Sequence, residues 1–279
     1  MKLYITSDLH LGAVNNGDEA SALLAEYTCA NSGPRDALVL IGDIGTHARN
    51  FELALRMFKP FRGPKMLVCG NHDIWVEDGI QNSIQKYKLL EVIAARHNFI
   101  FLEEHPTTHM DAIFIGLMGW YDYSFRDDIG VPRECYADKL YAGNQWNDRL
   151  YAHWRRSDPQ VTDWQVRRLK SQLGQSIGQD KRIFVFTHHV PIKKLLKHPR
   201  CLVPKKWRFL NAFLGSEEIG KAISRYANFV EHVFVGHIHM SKEVSEGSVR
   251  YSSIGSCYNQ KELVVYANGR IERHIFSSK

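Results

Sequence analysis

No run of about 18 consecutive apolar residues occurs in the 279 residues, so nothing in the chain reads as a helix that crosses a bilayer. Cysteine is scarce: Cys29, Cys69, Cys135, Cys201 and Cys257 are an odd number with no close pair. That spacing argues against a disulfide framework and a zinc knuckle, and reduced thiols in a cytoplasmic compartment are the expectation. Internal repeats, low-complexity tracts and domain linkers are missing too. The first apolar run begins at Leu3 and leads at once to Asp8, so a removable signal peptide would take a candidate site residue with it. With 44% hydrophobic residues, the length suits a single domain over residues 1–279.

What is present is a local pattern used five times. Leu3–Thr6 runs into Asp8-Leu9-His10, and Ala37–Ile41 runs into Gly42-Asp43. Residues 64–69 lead to Gly70-Asn71-His72-Asp73, residues 183–186 to Thr187-His188-His189, and residues 233–235 to Gly236-His237-Ile238-His239. Short runs rich in β-branched and aromatic residues read as strands buried on both faces, and ligands in open α/β sheets sit beyond the carboxyl ends of such strands. One Asp-x-His is more often a turn, and one His-x-His is common on a solvated strand. Five strand ends that all carry ligand-type residues are not explained that way. Gathered at one edge they supply two Asp, one Asn and four or more His, enough for two metal ions. Carboxylate, amide and imidazole donors together suit Mn²⁺, Fe or Zn²⁺ rather than calcium. His188 and His189 should face opposite ways, so only one of them is a ligand.

Taken together, Asp8-x-His10, Gly42-Asp43, Gly70-Asn71-His72-Asp73, His188-His189 and Gly236-His237-x-His239 resemble the motifs of the calcineurin-like metallophosphoesterase superfamily, and they frame the chain from residue 8 to residue 239. The resemblance implies an α/β fold, a β-sandwich of two mixed sheets flanked by helices, with a dinuclear metal site at the strand ends. It implies one ion held by Asp8, His10 and His239, a second held by Asn71, His188 and His237, and Asp43 bridging them. His72 becomes the non-ligand histidine that meets the substrate phosphate. His189 is left to support the ligands or touch substrate, and Asp73 to orient its neighbours or cap a turn. The implied activity is metal-dependent hydrolysis of phosphate esters by an activated hydroxide, with no need for a serine or cysteine nucleophile. His72 then protonates the leaving group or stabilises phosphoryl charge.

The Ser/Thr protein phosphatases of this superfamily extend the second motif as Gly-Asp-x-Val-Asp-Arg-Gly. This chain reads Gly42-Asp43-Ile44-Gly45-Thr46-His47-Ala48, without that Asp and Arg and without the usual acidic partner for the catalytic histidine. It is more similar to the bacterial phosphodiesterase and phosphomonoesterase branches. The expected substrate is an anionic small phosphomono- or phosphodiester or a nucleotide. A nuclease acting on DNA or RNA is the alternative. A non-catalytic scaffold with this fold normally has eroded ligands, and none is eroded here.

Between the motifs the periodicity predicts helices over residues 13–30 (Leu23, Leu24, Tyr27 inward) and over 79–96 (Ile80, Ile84, Tyr87, Leu90 and Ile93 along one side). Another carries Phe51, Leu55 and Phe58 and ends at Pro60. Thr162 with Gln165 reads as a capping box, and Ser216 as an N-cap ahead of Glu217 and Glu218. Hairpins over residues 246–248 and 267–269 are both expected to complete the second sheet. Residues from about 119 to 160 form an aromatic-rich insertion, either a cap over the site or a satellite cluster under a loop, with Trp120 and Tyr121 as candidate substrate contacts. Lys193, Lys194, Lys197, Arg200, Lys205, Lys206 and Arg208 follow without an acid between them, and the formal net charge is +6. Such a stretch draws in anions, but seven cations cannot all converge on a small pocket, so nucleic acid is not the favoured partner.

Overall fold

Alternation inside the strands dictates the layers. The computed structural model describes residues 1–127, 130–196 and 204–278. Strands β1 (Leu3–Thr6), β2 (Ala37–Ile41), β3 (Lys65–Val68) and β4 (Phe99–Phe101) run parallel, linked by helices α1 (Asn15–Asn31), α2 (Ala48–Met57) and α3 (Ser83–Arg96). After β5 (Thr107–His109) and β6 (Ala112–Leu117), the chain makes α4 (Arg133–Ala137), a small hairpin of β7 (Leu140–Tyr141) and β8 (Asn144–Gln145), α5 (Asp148–Tyr151) and α6 (Asp158–Ser176). Then come β9 (Arg182–Thr187), α7 (Lys205–Leu210), α8 (Glu217–Ser224) and β10 (Val230–Val235). Strands β11 (Lys242–Glu246), β12 (Val249–Ser253), β13 (Gln260–Ala267) and β14 (Arg270–Ser277) end the described chain. Among the described residues these strands form two mixed six-stranded sheets, in the orders β14-β13-β1-β2-β3-β4 and β11-β12-β10-β9-β6-β5.

Odd and even residues of each central strand enter different cores. Leu3, Ile5, Val39, Ile41 and Val68 of the first sheet meet Phe114, Phe184, Phe186 and Phe234 of the second between the sheets. Tyr4, Leu38, Leu40 and Leu67 point the other way, against Leu24, Phe51, Leu55 and Tyr87 of α1 to α3. Ile113, Ile115, Val185 and Val233 likewise pack on Val166, Leu169 and Leu173 of α6 and Ile219 and Ile223 of α8. With both faces covered, the strands carry continuous apolar runs.

Several local expectations shift. α3 starts at Ser83 rather than 79, because the Asn82 side chain accepts from Gln85 N at 3.0 Å and caps the helix there. In α1, Leu24 is buried but Leu23 is exposed. α6 begins before Thr162: Ser157 and Gln160 make the capping box, Pro159 lies in the first turn, and Thr162 is buried inside the helix. Ser216 does cap α8, accepting from Glu218 N at 3.0 Å. The two terminal hairpins part company. β11 and β12 join the second sheet, while β13 pairs antiparallel with β1, Leu3 opposite Tyr266, in the first. β13 buries Val264 and Tyr266 between the sheets and Leu263 and Val265 on the helix side, so it needs an interior place, and β14 covers its outer edge.

Phe186 sits fully buried between the sheets, stacked on Phe114 and Phe234 with centroids 5.9 and 5.7 Å away. Phe186→Ala is expected to lower stability by about 3–5 kcal/mol, read from the shift of a urea or thermal unfolding midpoint. A loss under about 1 kcal/mol would mean that the sheets collapse around the gap.

Candidate metal centre and substrate cleft

β1, β2 and β3 of one sheet and β9 and β10 of the other end at one edge, and the residues just past those ends meet there. Five of the seven candidate ligands sit in the left-handed backbone region: Asp8 (φ 52°), His10 (45°), Asp43 (50°), His237 (71°) and His239 (50°). Residues other than glycine rarely adopt it, and each instance costs about 1–3 kcal/mol. Hydrogen bonds between the loops offset this, with Asp8 N donating to Gly42 O (3.0 Å) and His10 N to Asp43 O (2.8 Å). The Asp73 carboxylate accepts from Ile44 N, Gly45 N and Gly70 N at 2.8, 2.9 and 2.8 Å, tying the Asp43 loop to the Asn71 loop. Lys261, buried in β13, donates to Asp8 O at 3.0 Å. Two glycines leave room: a Cβ on Gly42 (φ +71°) would lie 2.5 Å from His188 Nδ1, and one on Gly70 2.1 Å from Asp43 Oδ1.

Asp8, His10 and His239 bring ligand atoms within 4.8 Å of one another, and so do Asp43, His188 and His237. His10, Asp43 and His72 form a third such group, which shares His10 with the first and Asp43 with the second. Asn71 Oδ1 lies 3.3 Å from His188 Nε2. Ring nitrogens face one another across short gaps, His10 Nε2 to His239 Nε2 at 3.2 Å and His237 Nδ1 to His188 Nε2 at 3.1 Å. His188 Nδ1–H donates to the Ile41 carbonyl at 3.0 Å, which leaves Nε2 for the centre, the usual second contact of a metal-binding histidine. Burial alone would raise the Asp43 carboxylate, but His188, His72 and His10 around it hold it well below the usual range. Burial opposes charge on His188, yet Asp43 and Asp8 beside it raise that imidazole to about 10. The centre therefore attracts positive charge, and converging lone pairs of mixed oxygen and nitrogen type fit a pair of divalent ions.

The remaining predicted residues divide by burial. His72 has a partly exposed ring and borders the cleft, its Nε2 4.0 Å from Asp43 Oδ2 and its backbone N–H donating to Asp43 Oδ1 at 2.9 Å. His189 and Asp73 are fully buried and do not border the cleft. His189 Nδ1–H donates to Met118 O, and its ring packs between His237 and Trp120. Trp120 and Tyr121, expected at the substrate, do not border the cleft either. Both are fully buried, Trp120 Nε1–H donating to Asp158 at 2.8 Å and the Tyr121 hydroxyl to Asp148 at 3.0 Å. An apolar ring with one polar tip packs inside when that tip finds an acceptor.

A cleft of about 480 Å³ opens over the ligands, floored by Asp43, Asn71, His72, His237 and His239. Its aromatic walls are Trp75, Trp146, Trp207 and Tyr258. A hollow of about 560 Å³ near Asp111 and Glu231 is larger, but none of the candidate ligands borders it. Trp146 comes from the aromatic-rich insertion, so that segment both packs a core and walls the site. Trp75 stacks on His72 with centroids 3.8 Å apart. Of the basic stretch, Lys206 borders the cleft, while Lys193 pairs with Glu217 (2.6 Å), Lys194 with Glu246 (3.5 Å) and Arg208 with Asp127 (3.5 Å). Lys197 and Arg200 lie outside the described residues. Sequence reasoning missed Trp75, Asp148, Tyr258 and Lys261 as site residues, and only Trp75, three residues past His72, carried a local signal.

No curated protein matches the chain in sequence. Among solved structures it is similar to the phosphopantetheinyl hydrolase of Mycobacterium tuberculosis, at 19% identity over 91% of this chain and 89% of that one, with a TM-score of 0.67. It is also similar to a Staphylococcus aureus protein assigned as a 5'-nucleotidase, at 11% identity over 99% of this chain and 54% of that one, with a TM-score of 0.54. Those likenesses establish the fold. Residues 1–241, which include all five strand-end motifs, match the family profile described as calcineurin-like phosphoesterase. By that match, and with two mixed sheets bringing the motifs together at one edge, the chain belongs to the calcineurin-like phosphoesterases.

Proposed function

We propose that this phosphoesterase is a metal-dependent hydrolase of small phosphate esters, either monoesters, diesters or nucleotides. The observation that carries the reading is the gathering of seven candidate ligand side chains, Asp43 among them, at one edge of the two sheets beside a cleft. Asp8, His10 and His239 would hold one ion and Asn71, His188 and His237 the other, with Asp43 available to both, and these donors suit Mn²⁺, Fe or Zn²⁺. Two such ions supply Lewis-acid activation of water and charge neutralisation on the phosphoryl group. His72, on the open side of Asp43, passes a proton to the leaving oxygen or donates to a phosphoryl oxygen. The stacked Trp75 restricts its ring to one tilt. Trp146, Trp207 and Tyr258 exclude water and offer flat faces to an aromatic or apolar leaving group. Lys206 is positioned to attract the anion. The free thiols of Cys29, Cys69, Cys135 and Cys257 support a cytoplasmic location.

A purified active preparation should hold about two transition-metal ions per chain by elemental analysis and lose activity on chelation. Asp43→Asn should lower both metal content and turnover of p-nitrophenyl phosphate. Activity indifferent to EDTA, in a protein free of metal, would sink the assignment.

His72→Ala should keep both ions and the fold while losing roughly 10²–10⁴-fold in rate. The loss should be smaller for p-nitrophenolate than for an alkoxide leaving group if His72 donates a proton. Loss of an ion instead would make His72 a ligand, as its grouping with His10 and Asp43 permits.

Substrate size is tested by salt. A small ester should show a shallow dependence of KM on ionic strength, and Lys193→Gln with Lys194→Gln should leave its turnover unchanged. Trp207→Ala should raise KM for aryl phosphates by about 5-fold, the loss of one stacking contact, and change that of a small alkyl phosphate less. A steep inverse salt slope with oligonucleotides would make a nuclease the better reading.

A further inference from the structure

Asp148 opens α5, in the middle of the aromatic-rich insertion, and only 1% of its surface reaches solvent. Four donors converge on it. Its Oδ1 accepts from Asn71 Nδ2–H at 2.9 Å and from Trp75 Nε1–H at 2.7 Å. Its Oδ2 accepts from Trp146 Nε1–H at 2.7 Å and from the Tyr121 hydroxyl at 3.0 Å. A carboxylate this deeply buried is tolerated because its oxygens are met by donors.

The two ends of an asparagine amide are nearly identical in shape but opposite in chemistry, one donating and the other accepting. The ionised Asp148 can only accept, so it draws the Asn71 NH₂ toward itself. The carbonyl Oδ1 is thereby turned to the centre, where it lies 3.3 Å from His188 Nε2. The same Oδ1 of Asp148 holds the Trp75 indole, whose face lies on His72 at 26°. α5 supports that indole a second time through Tyr151, whose ring is 4.8 Å from Trp75 and whose carbonyl accepts from Val76 N at 2.9 Å.

We propose that Asp148 is a positioning residue for phosphoester hydrolysis: it selects the metal-facing end of Asn71 and, through Trp75, sets the tilt of His72. The proposal rests on the metallohydrolase reading above. It gives the insertion, which already walls the cleft through Trp146, a second part in the site through a buried carboxylate.

The test uses the full-length chain with Asp148→Asn and Asp148→Ala, beside Tyr121→Phe, which removes one donor from the far oxygen only. In the metal-free protein the Asn71 side-chain amide protons should exchange slowly by NMR and become fast in the Asp148 variants. On titration with Mn²⁺ or Zn²⁺, one of the two ions should bind about 10–100-fold more weakly in Asp148→Ala, while Tyr121→Phe keeps both affinities. With saturating metal, kcat for p-nitrophenyl phosphate should fall with KM nearly unchanged, since the lost support acts on the reacting groups. Adding Asp148→Asn to Asn71→Ala should cost no further metal affinity, the mark of two residues acting as one unit. If Asp148→Ala does not fold, Asp148→Asn and this double variant carry the test. Wild-type metal affinity in Asp148→Asn, or fully additive losses in the double variant, would overturn the proposal. If the wild-type chain takes up no ion, the hydrolase reading falls, while the exchange of the Asn71 amide still decides its orientation.

Discussion

A carboxylate sealed from water must be compensated by its neighbours, and at Asp43 those neighbours come from both sheets. His10 and His72 reach it from the β1 and β3 loops, His188 from the end of β9, and the His72 backbone N–H donates to it directly. Its charge survives burial only because three imidazoles surround it. A change in the spacing of the sheets, or in the course of any of these loops, would leave that charge uncompensated. The geometry of the centre and the packing of the core are for that reason one constraint.

Such a constraint has to be held against backbone preference. Five ligands adopt left-handed conformations that most residues avoid, and the loops that carry them are bound to one another rather than to solvent. Asp73 joins two of those loops with three hydrogen bonds, and Lys261 fastens the Asp8 carbonyl from a strand added near the end of the chain. The rigid layers beneath, with phenylalanines stacked between the sheets, give the strained loops a fixed platform.

The aromatic and basic segments show how composition misleads about place. Trp120 and Trp146 belong to the same insertion and each donates its indole N–H to a carboxylate, yet one lies in the core and the other walls the cleft. What separates them is the acceptor each ring can reach in three dimensions. Likewise, Lys193 and Lys194 look free in sequence but find Glu217 and Glu246 from other parts of the chain. Among the described cations of that run, Lys206 is the one that borders the cleft.

The sequence by itself determined the five strands that lead to the site, because their two-faced burial is written in consecutive apolar residues, and it determined the type and order of the residues at their ends. Those are local features, read within four to six positions, and they were enough to recognise the family and its two mixed sheets. The tertiary structure alone decided that β13 and β14 join the first sheet, that α6 is capped by Ser157, and that His189 lies behind His237 rather than in the cleft. It alone joined Asp148 to Asn71 and Lys261 to Asp8, pairs separated by 77 and 253 positions. A buried carboxylate or ammonium takes its partner from whatever the packing brings near, and no spacing in the chain records that choice.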